Sequence, residues 1–208
     1  MPYPLSASYP SLGTDARGNG SRVSKDGMMA TGDLWVFGYG SLIWRPGFDF
    51  VERHLARLSG WRRGFCMTSI HYRGTPEAPG LVLALDESAE AVCEGLAFRV
   101  TAEHAEAVLA YLRERELVSS AYEERRLPVT LEDGIEIEAL AYVVDRGHVQ
   151  YIGGLTLEEQ AAVIGRAEGS SGRNLDYLMS TVEGLTALGI HDEELARLAS
   201  LVRHGEPG

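Results

Sequence analysis

The sequence is poor in lysine, cysteine and long apolar runs, and each shortage removes a class of function. Lys25 is the sole lysine in 208 residues, and Ser24 rather than glycine stands directly before it. A phosphate-cradling P-loop, which needs a lysine directly after its second glycine, is therefore excluded. Two cysteines, Cys66 and Cys93, make neither a disulfide framework nor a C-x-x-C zinc pair, and they read as small core hydrophobes in a reducing cytoplasm. The six histidines are scattered, with no H-E-x-x-H or similar metal-binding pair. No stretch approaches the roughly 18 uninterrupted apolar residues of a membrane-spanning helix. The formal charge is −11, which argues against non-specific affinity for nucleic acid or an anionic membrane. The histidine and cysteine patterns thus offer no metal site, and no nucleic-acid or membrane partner is expected.

What remains is an ordinary globular composition, 45% hydrophobic and 24% charged, enough for a core without staples. Residues 1–32 stand apart: 13 of them are Gly, Pro or Ser, with no apolar period, and they read as a disordered lead without the apolar core of a secretory signal. The expected globular domain is 33–208. It starts with Leu34–Tyr39, a bulky apolar run of the buried-strand type, stopped by Gly40-Ser41. Strand-like runs follow at Val51–Leu58, Trp61–Thr68, Gly80–Leu85 and Val92–Val100. From Thr101 the apolar residues Ala105, Val108, Leu109 and Leu112 recur at helical spacing, with Thr101 as expected N-cap. Strands return at Leu127–Leu131 and Ile135–Val144, joined by the hairpin signal Asp133-Gly134. After Gly154 the pattern is helical. Thr156 and Glu159 form a capping box, Leu175, Leu178, Met179, Val182 and Leu185 form a stripe that Gly189 stops, and a last helix spans about Asp192–Arg203. The class is α+β, with a mixed or barrel-like sheet.

Several catalytic frames fail. Gly38-Tyr39-Gly40 begins like a dinucleotide fingerprint, but Ile43 stands where its third glycine belongs. Ser41 lacks the glycine frame of a nucleophile elbow. Two features survive. Tyr39-Gly40-Ser41-Leu42 at a strand end offers a glycine for close ligand approach and consecutive N–H groups for an anion; an ordinary tight turn is the alternative. Glu116, with Arg115, extends the helical apolar stripe and so points toward the body of the protein. A carboxylate there is costly unless paired or set in a cavity, and burial raises its pKa toward the range of a general base. The alternative is that the stripe has ended and Arg115 pairs with a nearby carboxylate at the helix end. Glu114, Glu123 and Glu124 read as solvated.

These residues belong to a wider set. Tyr39-Gly40-Ser41-Leu42-Ile43-Trp44 with Pro46, Gly60-Trp61-Arg62-Arg63-Gly64-Phe65, Arg73-Gly74-Thr75-Pro76, Pro79-Gly80, Tyr111-Leu112 with Arg115-Glu116, Tyr122, and Gly169–Asn174 with Tyr177-Leu178 occur in order over residues 34–204. Together they resemble the ChaC-type, glutathione-specific γ-glutamylcyclotransferases. One departure is Ser120-Ala121, where many relatives carry a glycine pair. The resemblance implies a mixed sheet curled into a small barrel with surrounding helices. It also implies cleavage of glutathione to 5-oxoproline and cysteinylglycine without a cofactor. On that resemblance Glu116 matches the acid/base, and Tyr39, Gly40, Ser41 and Leu42 match the substrate loop. Arg73, Tyr122 and Tyr177 are weaker substrate contacts, and Gly172-Arg173-Asn174 marks a helix start that is either a carboxylate site or only a cap. Other γ-glutamyl amines as substrates, or a non-catalytic γ-glutamyl-binding protein, are the competing functions.

Overall fold

A computed structural model of the chain describes residues 32–117 and 120–205. The expected disordered lead lies, apart from Gly32, outside the described residues.

The described residues form seven strands and four helices: β1 Leu34–Gly38, β2 Glu52–Ser69, β3 Gly80–Val100, α1 Ala102–Glu116, β4 Tyr122–Leu131, β5 Glu136–Val144, α2 Leu157–Arg166, β6 Glu168–Gly169, β7 Gly172–Arg173, α3 Asn174–Ala187 and α4 Glu193–Gly205. Strands β1 to β5 close a barrel in the order β1-β3-β2-β4-β5, while β6 and β7 form a separate two-stranded hairpin. Most pairings are antiparallel. The seam that closes the barrel is parallel, with Val36 beside Leu140, and β5 also meets β3 in parallel at Leu85–Val143. The mixed, barrel-like sheet expected from the sequence is the sheet observed.

The four short runs expected between residues 51 and 100 are two long strands. Gly60 reads as a break, yet its φ of +83° lets β2 bend rather than stop, and the register with β3 shifts across Ser59/Trp61 and again across Gly64/Met67. The polar stretch after Leu85 also stays in the ladder. Asp86 is buried there because two guanidinium groups neutralise it: Arg62 Nη2 at 3.0 Å and Arg146 Nε at 2.6 Å, with the Tyr151 hydroxyl donating at 3.3 Å.

Core composition follows burial. Phe37, Phe98, Leu58, Leu81, Leu85, Leu112 and Leu140 are fully enclosed. Both cysteines are buried free thiols, and burial pushes Cys66 up to about 12 and Cys93 up to about 11. They are inert packing groups.

Helix ends match the sequence with one exception. The Thr156–Glu159 capping box is formed in both directions. Gly189, at φ +72°, closes α3, with Ile190 N–H on Leu185 O and Gly189 N–H on Thr186 O. Thr101 sits at the N-cap position of α1, but its side chain accepts no bond from the helix. Its hydroxyl is 3.0 Å from His104 Nδ1, and Asp33 Oδ1 instead accepts from Ala102 N–H at 3.0 Å while its Oδ2 pairs with Arg99 at 2.7 Å. A carboxylate from before β1 thus serves a helix about seventy residues later in the chain. Local spacing does not reveal such a cap.

Candidate active site

Strand β1 is buried along its length and ends in the turn Tyr39–Leu42, closed by Ile43 N–H on Gly40 O at 2.9 Å and Arg45 N–H on Ser41 O at 2.9 Å. Among the described residues the N–H groups of Ser41 and Leu42 find no protein acceptor. Two arginines hold this turn. From β2, the buried Arg63 donates through Nη1 to Tyr39 O at 2.6 Å, through Nη2 to Glu94 O at 2.5 Å, and through Nε to Asp192 Oδ2 at 2.8 Å. From α1, Arg115 donates through Nη2 to Ser41 Oγ at 2.8 Å and through Nη1 to Arg45 O, Pro46 O and the Tyr111 hydroxyl at 2.8, 3.0 and 3.1 Å.

Gly40 is open rather than crowded. A Cβ built there meets only the Tyr177 hydroxyl at 3.6 Å and Leu83 at 3.7 Å, ordinary contact distances. The preceding Gly38 differs, because a Cβ there presses on Leu42 and Phe98 at 3.0 Å. Gly38 thus serves packing, while Gly40 leaves room beside the turn for something else.

Glu116 is the last residue of α1 and its side chain is 20% exposed. Arg115 Nε lies 3.1 Å from its Oε1. Burial raises the Glu116 carboxyl above its usual range, and the Arg115 charge opposes part of that rise. Four tyrosines feel the Glu116 charge: Tyr39, Tyr122, Tyr142 and Tyr177, each raised chiefly by its own burial. All four stay protonated near neutrality. Tyr142 donates its hydroxyl to Glu124 Oε2 at 3.3 Å, and two more hydroxyls are committed to carbonyls, Tyr39 to Tyr142 O at 3.0 Å and Tyr122 to Leu83 O at 2.8 Å. These two rings are therefore walls with anchored tips.

Tyr177 lies off the apolar stripe of α3, so its direction is open in the sequence. In the structure it is buried, with Phe65 edge-on at 5.8 Å and Trp44 at 5.9 Å. The second buried face of α3 is disguised by polar residues satisfied internally. Thr181 Oγ1 donates to Tyr177 O at 2.9 Å, and Asn174 donates to Leu81 O at 2.7 Å and accepts from Leu81 N–H at 2.6 Å. The helix start at Gly172-Arg173-Asn174 is thus bound to β3 by the Asn174 side chain, an anchor that the sequence reading did not separate from a cap. Arg73 is half-buried over the Tyr177 ring, its guanidinium 5.3 Å from the centroid, and it donates to Ser171 O at 2.7 Å and Arg173 O at 3.2 Å.

The structure therefore brings Tyr39, Gly40, Ser41, Leu42, Glu116, Tyr122 and Tyr177 into one neighbourhood, with Arg73 against Tyr177. Glu124 is bound by Arg113 and Glu123 by Arg125. Sequence reasoning gave no role to Arg63, and for Arg115 it left open a place facing the body of the protein or an ion pair at the helix end. The available signal for Arg115 was its place three residues beyond Leu112 on the buried stripe. A cavity of about 490 Å³ between β2 and the starts of α2 and α4 contains none of the candidate residues. Among the described residues, no three His, Cys, Asp or Glu side chains gather as metal ligands would.

The family model for ChaC-like proteins matches residues 34–205. The chain is 35% identical over 172 residues to the glutathione-specific γ-glutamylcyclotransferase of Escherichia coli, covering 83% of this chain and 74% of that one. It is 36% identical over 177 residues to γ-glutamylcyclotransferase 2-3 of Arabidopsis thaliana, covering 82% and 89%. The crystal structure of a glutathione-specific γ-glutamyl cyclotransferase from yeast superposes with a TM-score of 0.76 at 25% identity, over 83% of this chain and 96% of the yeast chain.

Proposed function

The chain belongs to the ChaC-like γ-glutamylcyclotransferase family, and on that footing we propose that it cleaves glutathione to 5-oxoproline and cysteinylglycine with Glu116 as the proton carrier. In this reaction the α-amine of the γ-glutamyl group attacks its own γ-carbonyl. A five-membered ring closes and the cysteine nitrogen leaves. Nucleophile and electrophile share one molecule, so holding the γ-glutamyl chain curled removes most of the entropic barrier. The protein must then move a proton and stabilise charge.

The α-amine is chiefly ammonium near neutral pH and cannot attack until it loses a proton. Glu116, as a carboxylate with a pKa raised by burial, accepts that proton and later delivers it to the departing nitrogen. Arg115 keeps the carboxyl oriented and limits the rise, so the group remains a base at working pH. The unpartnered amides of Ser41 and Leu42 are the donors available to an anionic oxygen of the γ-glutamyl group, its α-carboxylate or the tetrahedral oxyanion. The open side of Gly40 lets substrate approach them. The anchored rings of Tyr39 and Tyr122 lie near Glu116, and Tyr177 runs from the turn toward Arg73. No serine or cysteine nucleophile is needed. A cytoplasmic setting is part of this reading, in keeping with two free thiols; among the described residues no helix is long and apolar enough to cross a membrane.

The observation that carries the reading is a largely enclosed carboxylate, held by an arginine that also holds the Ser41 turn. The test is direct. Purified protein is incubated with reduced glutathione, and 5-oxoproline and cysteinylglycine are quantified beside Glu116→Gln, checked for folding by circular dichroism. Both products from wild type and none from the folded variant are expected. Equal product from the variant would remove Glu116 from its role, and no product from wild type would overturn the substrate.

A further inference from the structure

We propose that Arg45 and Arg73 form a carboxylate-reading subsite beyond Tyr177, which takes the C-terminal carboxylate of the leaving peptide and so favours peptides over simple γ-glutamyl amines. This rests on the reading given above. At least nine of the described arginines have a carboxylate within 4 Å; neither Arg45 nor Arg73 does, on a chain with thirty acidic residues.

Two separate segments bring arginines to the neighbourhood of one ring. Arg73 lies over Tyr177, while Arg45 directly follows Trp44, whose ring packs on Tyr177. The Arg45 backbone is pinned by Arg115, and its side chain is exposed, with no hydrogen-bond partner among the described residues. Arg73 spends Nη1 on two carbonyls, leaving Nε and Nη2 without an acceptor among the described residues. The charges also sense each other: Arg73 is pulled below its ordinary value by burial, and the nearby Arg45 adds to the effect while Asp176 and Tyr177 oppose it. Like charges set together are unfavourable until an anion arrives between them.

The spacing suits the leaving group. The Tyr177 hydroxyl lies beside Gly40, at the turn, whereas its ring lies beneath Arg73. From the γ-carbonyl, the cysteine and glycine residues extend about 7 Å, at roughly 3.5 Å per residue, which is the order of distance from a tyrosine hydroxyl past its ring to a cation stacked on it. A planar guanidinium pair suits a terminal carboxylate. A γ-glutamyl amine has nothing to place there.

The test compares glutathione with its glycine monoethyl ester, which keeps the γ-glutamyl group and removes the distal charge. Wild type, Arg45→Ala and Arg45→Glu are assayed for 5-oxoproline, with KM and kcat resolved for each substrate. Wild type should use the ester about tenfold less efficiently, through KM, as expected for a charge-assisted contact near the surface. Arg45→Ala should raise KM for glutathione about fivefold and Arg45→Glu further, with the ester changed less than twofold by either. Raising salt should raise KM for glutathione and leave the ester unaffected. Equal use of glutathione and ester by wild type, or equal penalties on both substrates in the variants, overturns the subsite while the cyclotransferase reading stands. No 5-oxoproline from either substrate with wild type overturns both.

Discussion

Ser41 and Glu116 are held by one guanidinium: Arg115 donates to Ser41 Oγ at 2.8 Å through Nη2 and meets Glu116 Oε1 at 3.1 Å through Nε. The turn after β1 and the end of α1 are therefore a single mechanical unit. Seventy-five residues of chain separate them, yet neither is free to shift alone.

This unit makes Arg115 a positioning residue with a recognisable kinetic signature. The carboxyl of Glu116 sits above its usual range because of burial, and the Arg115 charge restrains it. Arg115→Gln removes the restraint, so the acid limb of the kcat/KM profile moves to higher pH. Glu116 must be deprotonated to accept a proton, so activity near that limb falls. A pH–rate profile of the variant checks this; an unshifted limb would mean that Arg115 acts only on the turn.

Ser41→Ala and Arg115→Gln should be non-additive. Each removes the same charge-assisted bond, so a double-mutant cycle on kcat/KM should show about 1 kcal/mol of coupling. Additive effects would separate the turn from the helix.

Gly40 and Gly38 should fail in different ways. At Gly40 a methyl group has room within the protein, so Gly40→Ala should fold with an unchanged melting temperature and lose substrate binding, read as a raised KM. At Gly38 the added atom presses on Leu42 and Phe98, and a cost of about 1–3 kcal/mol in denaturant unfolding is expected for such overpacking.

The stability of Glu116→Gln has a defined sign. A carboxyl whose folded pKa is raised favours the folded state most at low pH, below its unfolded value, and that contribution is lost as pH rises through the folded value. At neutral pH the wild type thus bears the cost of a buried charge. Glu116→Gln should melt no lower than wild type at neutral pH, and the gap should narrow on acidification. A substantially less stable variant at neutral pH would show that the ion pair with Arg115 outweighs burial.

Arg63→Ala should be the most damaging single change near the turn. It strips the partner from the Tyr39 and Glu94 carbonyls and from the Asp192 carboxylate together, and breaking a buried ionic group costs about 3–5 kcal/mol. Chemical denaturation of the variant checks this, since loss of activity alone would not separate folding from the site.

Much of this was legible in the chain. Periodicity placed all four helices, and the stripe through Leu112 directed Glu116 inward. Asp133-Gly134 marked the β4–β5 hairpin. What was hidden depends on partners distant in sequence. Asp33 caps α1 in place of Thr101, because a carboxylate brought in by the fold outcompetes the local hydroxyl. Gly60 reads as an end of strand but acts as a bend. Tyr177 reads as off-stripe because Asn174 and Thr181, which share its buried face, are polar residues whose hydrogen bonds are made internally. Arg63 is one of several arginines until its three acceptors, from three different segments, are seen together.

The turn's supports have one more consequence. Both side chains that grip it, Arg63 and Arg115, are guanidinium groups, whose charge persists throughout the range in which proteins stay folded. The two guanidinium grips therefore do not themselves titrate, and in the proposed reaction proton transfer falls to Glu116 and the substrate's own amine. A catalyst built in the proposed way would read acidity chiefly through one carboxyl, gripped by two groups whose charge does not respond to it.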